Sequence, residues 1–247
     1  MFGTGGVIIL VVGAWIKIWS DRVNSRLQAN LEHLRADLTE RREQINQMGQ
    51  FLSSGFTASQ ERRLAAIEKM WQAILTSERL WVEYLFVYDV LHPSRYSGPG
   101  FDKYKSHMSK RTMDDILADW TPISDSVSQV RPFLGETLWI LFRVHTAVTG
   151  RIGSKVMQSL ENSTLLAWDN NEDTGKPDSL FFILRQAFTD DELTTIIQQN
   201  EMSVPQRILD AIRIKILDEA NRLIFGKLLI EINLAERLRL ESKQISP

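Results

Sequence analysis

Residues 57–91 read TASQERRLAAIEKMWQAILTSERLWVEYLFVYDVL, and they decide the fold class. Leu64, Ile67, Trp71, Ile74, Glu78, Trp81, Leu85 and Tyr88 recur at alternating spacings of three and four, the period of one helix face. Seven of these eight positions are apolar or aromatic, so the segment predicts a long amphipathic helix. Thr57 and Gln60 have the spacing of a capping box, after a Ser53-Ser54-Gly55 turn signal. His92-Pro93 ends the run, because proline disfavours helical geometry in the residue before it.

The segment before it has the same character. From Ser20 to Met48 there is neither proline nor glycine. Leu27, Leu31, Leu34, Leu38, Ile45 and Met48 fall on one heptad seam, with Arg41 its single break and charged residues on the outer faces. Residues 20–91 therefore predict two long helices in an antiparallel hairpin with a coiled-coil seam. Large seam residues, Trp71 and Trp81 with Leu27, Leu31, Leu34 and Leu38, are candidates for contact with a second copy or a protein partner.

The chain begins MFGTGGVIILVVGAWIKIWSDR, with no polar residue from Gly5 to Ile16. With Met1 to Thr4 and the Lys17-Ile18-Trp19 edge, the run is about 18 residues, roughly 27 Å of helix against a bilayer core of about 30 Å. Residues 1–19 read as a single transmembrane anchor. Ile8, Leu10 and Val12 lie in its apolar body, Trp15 and Trp19 at the aromatic belt, and Lys17 where its stem reaches the headgroups. A cleaved signal peptide would want a basic start and a small-residue cleavage site, and neither is present. Lys17, Arg22 and Arg26 follow the run, so the positive-inside rule places the amino terminus outside and the bulk of the chain in the cytoplasm, on the cell (inner) membrane.

Residues 92–111, HPSRYSGPGFDKYKSHMSKR, read as a basic loop. Arg95, Lys103, Lys105, Lys110 and Arg111 stand against Asp102 alone, with Tyr96, Phe101 and Tyr104 interleaved. If the second helix returns along the first, this loop comes back to the bilayer surface, where anionic headgroups would meet its bases. Residues 112–247 predict a helical bundle. A short helix runs from about Met113 to Trp120, and Pro122 and Pro132 punctuate the next stretch. Longer helices cover about 135–160 and 180–199, and a last one is capped at Ser203 with Pro205 in its first turn. No period-2 strand pattern occurs, so the class is all-α.

The hydrophobic start, the charged helix, the segment ERRLAAIEKMWQAILTSERLW and the later RPFLGETLWIL together resemble a group of uncharacterised bacterial membrane-anchored, coiled-coil-like helical proteins, over residues 5–145. The resemblance implies an anchored helical architecture and carries no catalytic residues.

Composition narrows function further. The 29 basic and 31 acidic side chains leave a charge of −2, not the basic field of a nucleic-acid binder. With zero cysteines there is no disulfide, thiol nucleophile or thiolate metal site. His33, His92, His107 and His145 share no helical turn, and His145 lies on an apolar seam as a core histidine. Asp169, Asn171 and Asp173 match the start of a calcium loop, but Thr174 replaces the turn glycine and Leu180 the bidentate glutamate. Thr149 to Lys155, TGRIGSK, has the wrong spacing and order for a phosphate loop. Glu78, alone among apolar seam positions, needs a partner, and hairpin symmetry about residue 53 or 54 would set it near Arg26, Ala29 and Asn30. These readings expect no cofactor and no catalytic site. They favour a membrane-tethered scaffold or partner-binding module; the alternative is an effector or sensor whose body controls oligomerisation of the anchor through Gly5, Gly6 and Gly13.

Overall fold

The computed structural model describes Ala36 and residues 54–97, 99–105, 108, 111–162, 164–169, 179–198 and 203–244, the last twenty of these as backbone only. The anchor residues Ile8, Leu10, Val12, Trp15, Lys17 and Trp19 lie outside the described residues, as do Leu27, Leu31, Leu34 and Leu38 and with them the expected hairpin partner. Among the described residues, no helix is long and apolar enough to cross a membrane.

The described chain is helical, with one isolated β-bridge between Ser97 and Thr164. Helix α1 is Ser54–Val90, and it stops before His92-Pro93 as the sequence requires. A 3-10 turn, Pro93–Arg95, leads to α2, Pro99–Lys105, inside the segment expected to be a loop. Helix α3 is Met113–Asn162, α4 is Ser179–Leu184, α5 is Asp190–Gln198 and α6 is Val204–Gln244.

Two boundaries differ from the sequence reading. Pro122 and Pro132 do not end a helix; both lie inside α3. Each removes a bond to the carbonyl four residues back, on Ala118 and Ser128, and both those residues are exposed, so water can satisfy what the prolines leave. The break comes at Gly135, whose φ of 75° and ψ of 161° are available to glycine. The second difference divides the helix expected at 180–199. Thr189 and Glu192 form a reciprocal cap, the Thr189 N–H donating to Glu192 Oε2 at 2.8 Å and the Glu192 N–H to Thr189 Oγ1 at 3.3 Å, and this box starts α5 afresh.

Gly135 folds α3 back on itself. In a straight helix Trp120 and Phe142 would be roughly 33 Å apart, yet their ring centroids are 6.4 Å apart. Residues 113–134 therefore run back along residues 136–162. Arg131 clasps the bend, 3.1 Å from Glu136 and with its guanidinium 5.2 Å from the Trp139 ring centroid.

Cross-contacts fix the topology. Glu78 meets His145, Trp81 lies on Gly150 and Gly153, and Tyr88 reaches Leu166, so α1 is parallel to the second arm of α3. Tyr88 meets Ser203 while Glu78 meets Arg213, so α6 is antiparallel to both. The result is an up-down-up-down arrangement of α1, the two arms of α3 and α6. One core runs through it, from Leu64 on α1 to Ile224 on α6. At Gly153 a Cβ would lie 2.0 Å from Trp81 Cε3, so the missing side chain is what lets the indole lie on α3.

Candidate functional site

The middle of the bundle holds a buried polar cluster contributed by three helices. Glu78 comes from the apolar seam of α1, His145 from the seam of α3, and Arg213 from α6. His145 is 0 % exposed and Glu78 6 %. Arg213 Nη1 donates to both Glu78 oxygens, at 2.8 and 2.7 Å, and its Nη2 bonds Asp210 one turn back. His145 Nε2 lies 2.9 Å from Glu78 Oε1.

Burial raises the Glu78 carboxyl pKa, but the His145 hydrogen bond and the Arg213 charge outweigh it and hold the group below the ordinary glutamate value. Glu78 is thus a carboxylate, an acceptor only, and the proton on the shared edge belongs to His145 Nε2. His145 Nδ1 is buried with no hydrogen-bond partner among the described residues. The Thr149 hydroxyl donates to the His145 carbonyl at 2.8 Å, beneath the ring's own turn.

The neighbours expected for Glu78 (Arg26, Ala29 and Asn30) lie outside the described residues; among those described, Glu78 meets His145 and Arg213. The hairpin argument assumed that an adjacent segment would cover the α1 seam. Among the described residues, α3 and α6, which come much later in the chain, pack on that seam. Trp71 and Trp81, read from the sequence as candidates for a partner contact, are 1 % and 6 % exposed and belong to the core.

A second polar cluster ties the end of the bundle where α1 stops. Lys155, buried in α3, donates from Nζ to the Trp168 carbonyl at 3.0 Å and to that of Ala167 at 3.4 Å. Ser159 Oγ accepts the Leu166 N–H at 2.9 Å, and the Tyr88 hydroxyl donates to the Leu166 carbonyl at 2.7 Å. Desolvation, with Tyr96 and Asp169 nearby, pushes the Tyr88 phenol well above its ordinary value. Lys155 and Gly153 belong to the segment that faintly echoes a phosphate loop. Here Lys155 holds carbonyls and Gly153 receives Trp81, which leaves no cradle for an anion.

The basic segment is divided. Arg95 and Lys103 are exposed and Lys105 half-buried, while Lys110 lies outside the described residues. Arg111 pairs with Asp119 on the first turns of α3. The interleaved rings were expected at a membrane interface, but Phe101 is fully buried and Tyr96 and Tyr104 pack against the core. Tyr96 stands edge-on to Tyr88 at 5.8 Å, and its carbonyl accepts the Leu165 N–H at 2.7 Å.

Two open grooves flank Lys215 of α6. One, about 350 Å³, is lined by Thr137, Leu141, Gln186, Asp218 and Arg222 among others. The other, about 440 Å³, lies between α5 and α6 and is lined by Phe188, Ile196, Ala211 and Ile214 among others. Lys215 stitches the two helices, 2.7 Å from Glu192 Oε1 and 4.9 Å from the Phe188 ring centroid. Among the described residues, no group of three or more His, Asp or Glu side chains is placed to hold a metal ion.

Sequence reasoning found Glu78 and His145 separately and missed Arg213. Arg213 looks like any surface arginine, because only the packing of α6 brings it to Glu78. No protein-family model, no curated protein and no solved structure matches this chain.

Proposed function

We propose that the protein is a membrane-tethered helical scaffold or partner-binding module. Residues 1–19 anchor it in the cell (inner) membrane with the amino terminus outside, and the bundle stands in the cytoplasm. The observation that carries this reading is the state of the buried ionisable groups. Glu78, His145 and Arg213 engage one another, and Lys155 engages backbone carbonyls. Such contacts lock helices in register; a catalytic group must instead face a substrate. The partners this reading implies are the bilayer itself, anionic headgroups at Arg95, Lys103, Lys105 and Lys110, and a protein partner or second copy on the seam of Leu27, Leu31, Leu34 and Leu38.

The test is topology together with capture. Protease added to intact cells should spare the bundle, and carbonate should leave the chain in the membrane fraction. Leu31→Asp with Leu34→Asp should abolish recovery of whatever co-purifies with the detergent-solubilised chain while leaving its melting temperature unchanged. Digestion from outside, or carbonate release, refutes the tether; capture that survives the double change refutes the seam.

A further inference from the structure

The end of α1 meets the start of α6 through an unusual junction. Ser203, the residue before α6, has a φ of 58°, a left-handed conformation that strains a side-chain-bearing residue. It is held there by its N–H, which points to the Tyr88 carbonyl at 3.4 Å, and by its own carbonyl, which accepts the Arg207 N–H at 3.1 Å. Beside it, at the last turn of α1, lies the Asp89 side chain. One of its oxygens, Oδ1, is buried with no hydrogen-bond partner among the described residues. The groups that act on this carboxyl come from the start of α6 and the residue before it: Ser203, which hydrogen-bonds it, and Arg207, the charged one. Arg207 also donates from Nε to the Ile196 carbonyl on α5 at 3.2 Å.

A buried carboxylate with an oxygen that no donor reaches is disfavoured, whereas the neutral acid loses little there. We propose that this junction is a pH-responsive latch, closed while the Asp89 carboxyl carries its proton and loosened as that proton leaves. The strained Ser203 backbone makes the α6 start the part that yields, because opening relieves strain there and hydrates the carboxylate at once.

Desolvation raises the Asp89 carboxyl to about 7, against the pull of Ser203 and Arg207 in the other direction. In an open junction the group returns to the ordinary aspartate range. The open fraction then rises with pH between those limits, about tenfold from pH 6 to pH 8.

The test is amide hydrogen exchange of the full chain in detergent at pH 6, 7 and 8, corrected for intrinsic rates. Peptides covering 203–210 should open about tenfold more at pH 8 than at pH 6, while peptides covering 70–75 of α1 keep their protection. Asp89→Asn should remove the rise. Ser203→Gly keeps the backbone conformation and removes the hydroxyl that favours the ionised form, so it should move the rise to higher pH. The proposal is overturned by exchange at 203–210 that does not depend on pH, by a rise that persists in Asp89→Asn, by equal loosening at 70–75, or by a rise that Ser203→Gly leaves in place.

Discussion

Replacing Glu78 by methionine removes the acceptor that two cationic or donor groups share and leaves the helix seam apolar throughout. The Arg213 guanidinium, 13 % exposed, loses both its bonds to Glu78 and keeps the Asp210 carboxylate, whose 49 % exposure lets water screen it, and His145 Nε2–H, fully buried, loses its acceptor. Breaking a buried pair by removing one partner costs about 3–5 kcal/mol, because the remaining charge is stranded. For a chain of this size each kcal/mol is worth roughly 2–4 °C, so the melting temperature should fall by roughly 6–20 °C. The complementary variant decides the cause. Glu78→Met, His145→Leu and Arg213→Met together replace the cluster by apolar groups of similar volume. Asp210 then loses Arg213, but it is 49 % exposed and water takes over. That triple variant should recover most of the loss or exceed the parent in stability. The measurement is thermal melting followed by circular dichroism in one detergent at pH 7. A loss below about 1 kcal/mol for Glu78→Met, or a triple variant no better than the single one, refutes the claim that stranded charge sets the cost.

Gly153→Ala sets two effects against each other. The helix interior gains about 1 kcal/mol from alanine, but the new Cβ would sit 2.0 Å from a buried tryptophan ring. Overpacking of that kind costs about 1–3 kcal/mol or more; the net should be destabilising, and Trp81→Leu in the same chain should reduce the penalty. In vesicles, amide exchange over 99–105 should be slower with anionic than with zwitterionic lipid, and Lys103→Glu, Lys105→Glu and Lys110→Glu together should erase that difference. No difference between the two lipids would count against the basic segment as a lipid contact.

The helices were legible where packing demands repeat along the chain. Eight seam positions over seven turns define α1 whatever covers it. The cover was not legible, since a seam states that it must be buried and leaves open against what. Adjacency in sequence suggested residues 20–48, which apart from Ala36 lie outside the described residues; nothing local signalled that Gly135 reverses α3 and brings its second arm to lie parallel to α1. One glycine carries that information, and beside Pro132 it reads as ordinary punctuation. The site suffered in the same way. Glu78 was visible as an anomaly in its own helix and His145 as another in its own, but their meeting depends on the register between helices. Asp89 gave no sign, because its burial comes from α6, which closes over the end of α1 more than a hundred residues later.

Two carboxyls of α1, buried Glu78 and half-buried Asp89, lean opposite ways, and this shapes the stability curve. Glu78 is held below its ordinary value, so its contribution is present above about pH 4.5 and is lost as pH falls through the lower folded value. Asp89 is raised from 3.8 to about 7. The folded chain keeps that proton after the unfolded chain has lost it, so stability falls as pH rises from about 4 to about 7 and levels above. Three pH units at about 1.4 kcal/mol each is on the order of 4 kcal/mol, if the whole chain unfolds as one unit. The maximum should therefore lie near pH 4–5, on the acid side of neutrality. Denaturant midpoints measured from pH 3 to pH 9 should trace that profile. Asp89→Asn should flatten the limb above pH 5 and leave the acid limb intact, whereas Glu78→Gln should do the reverse. A parent profile flat between pH 5 and pH 8 would mean that Asp89 is ionised in the folded chain, with a donor reaching its buried oxygen.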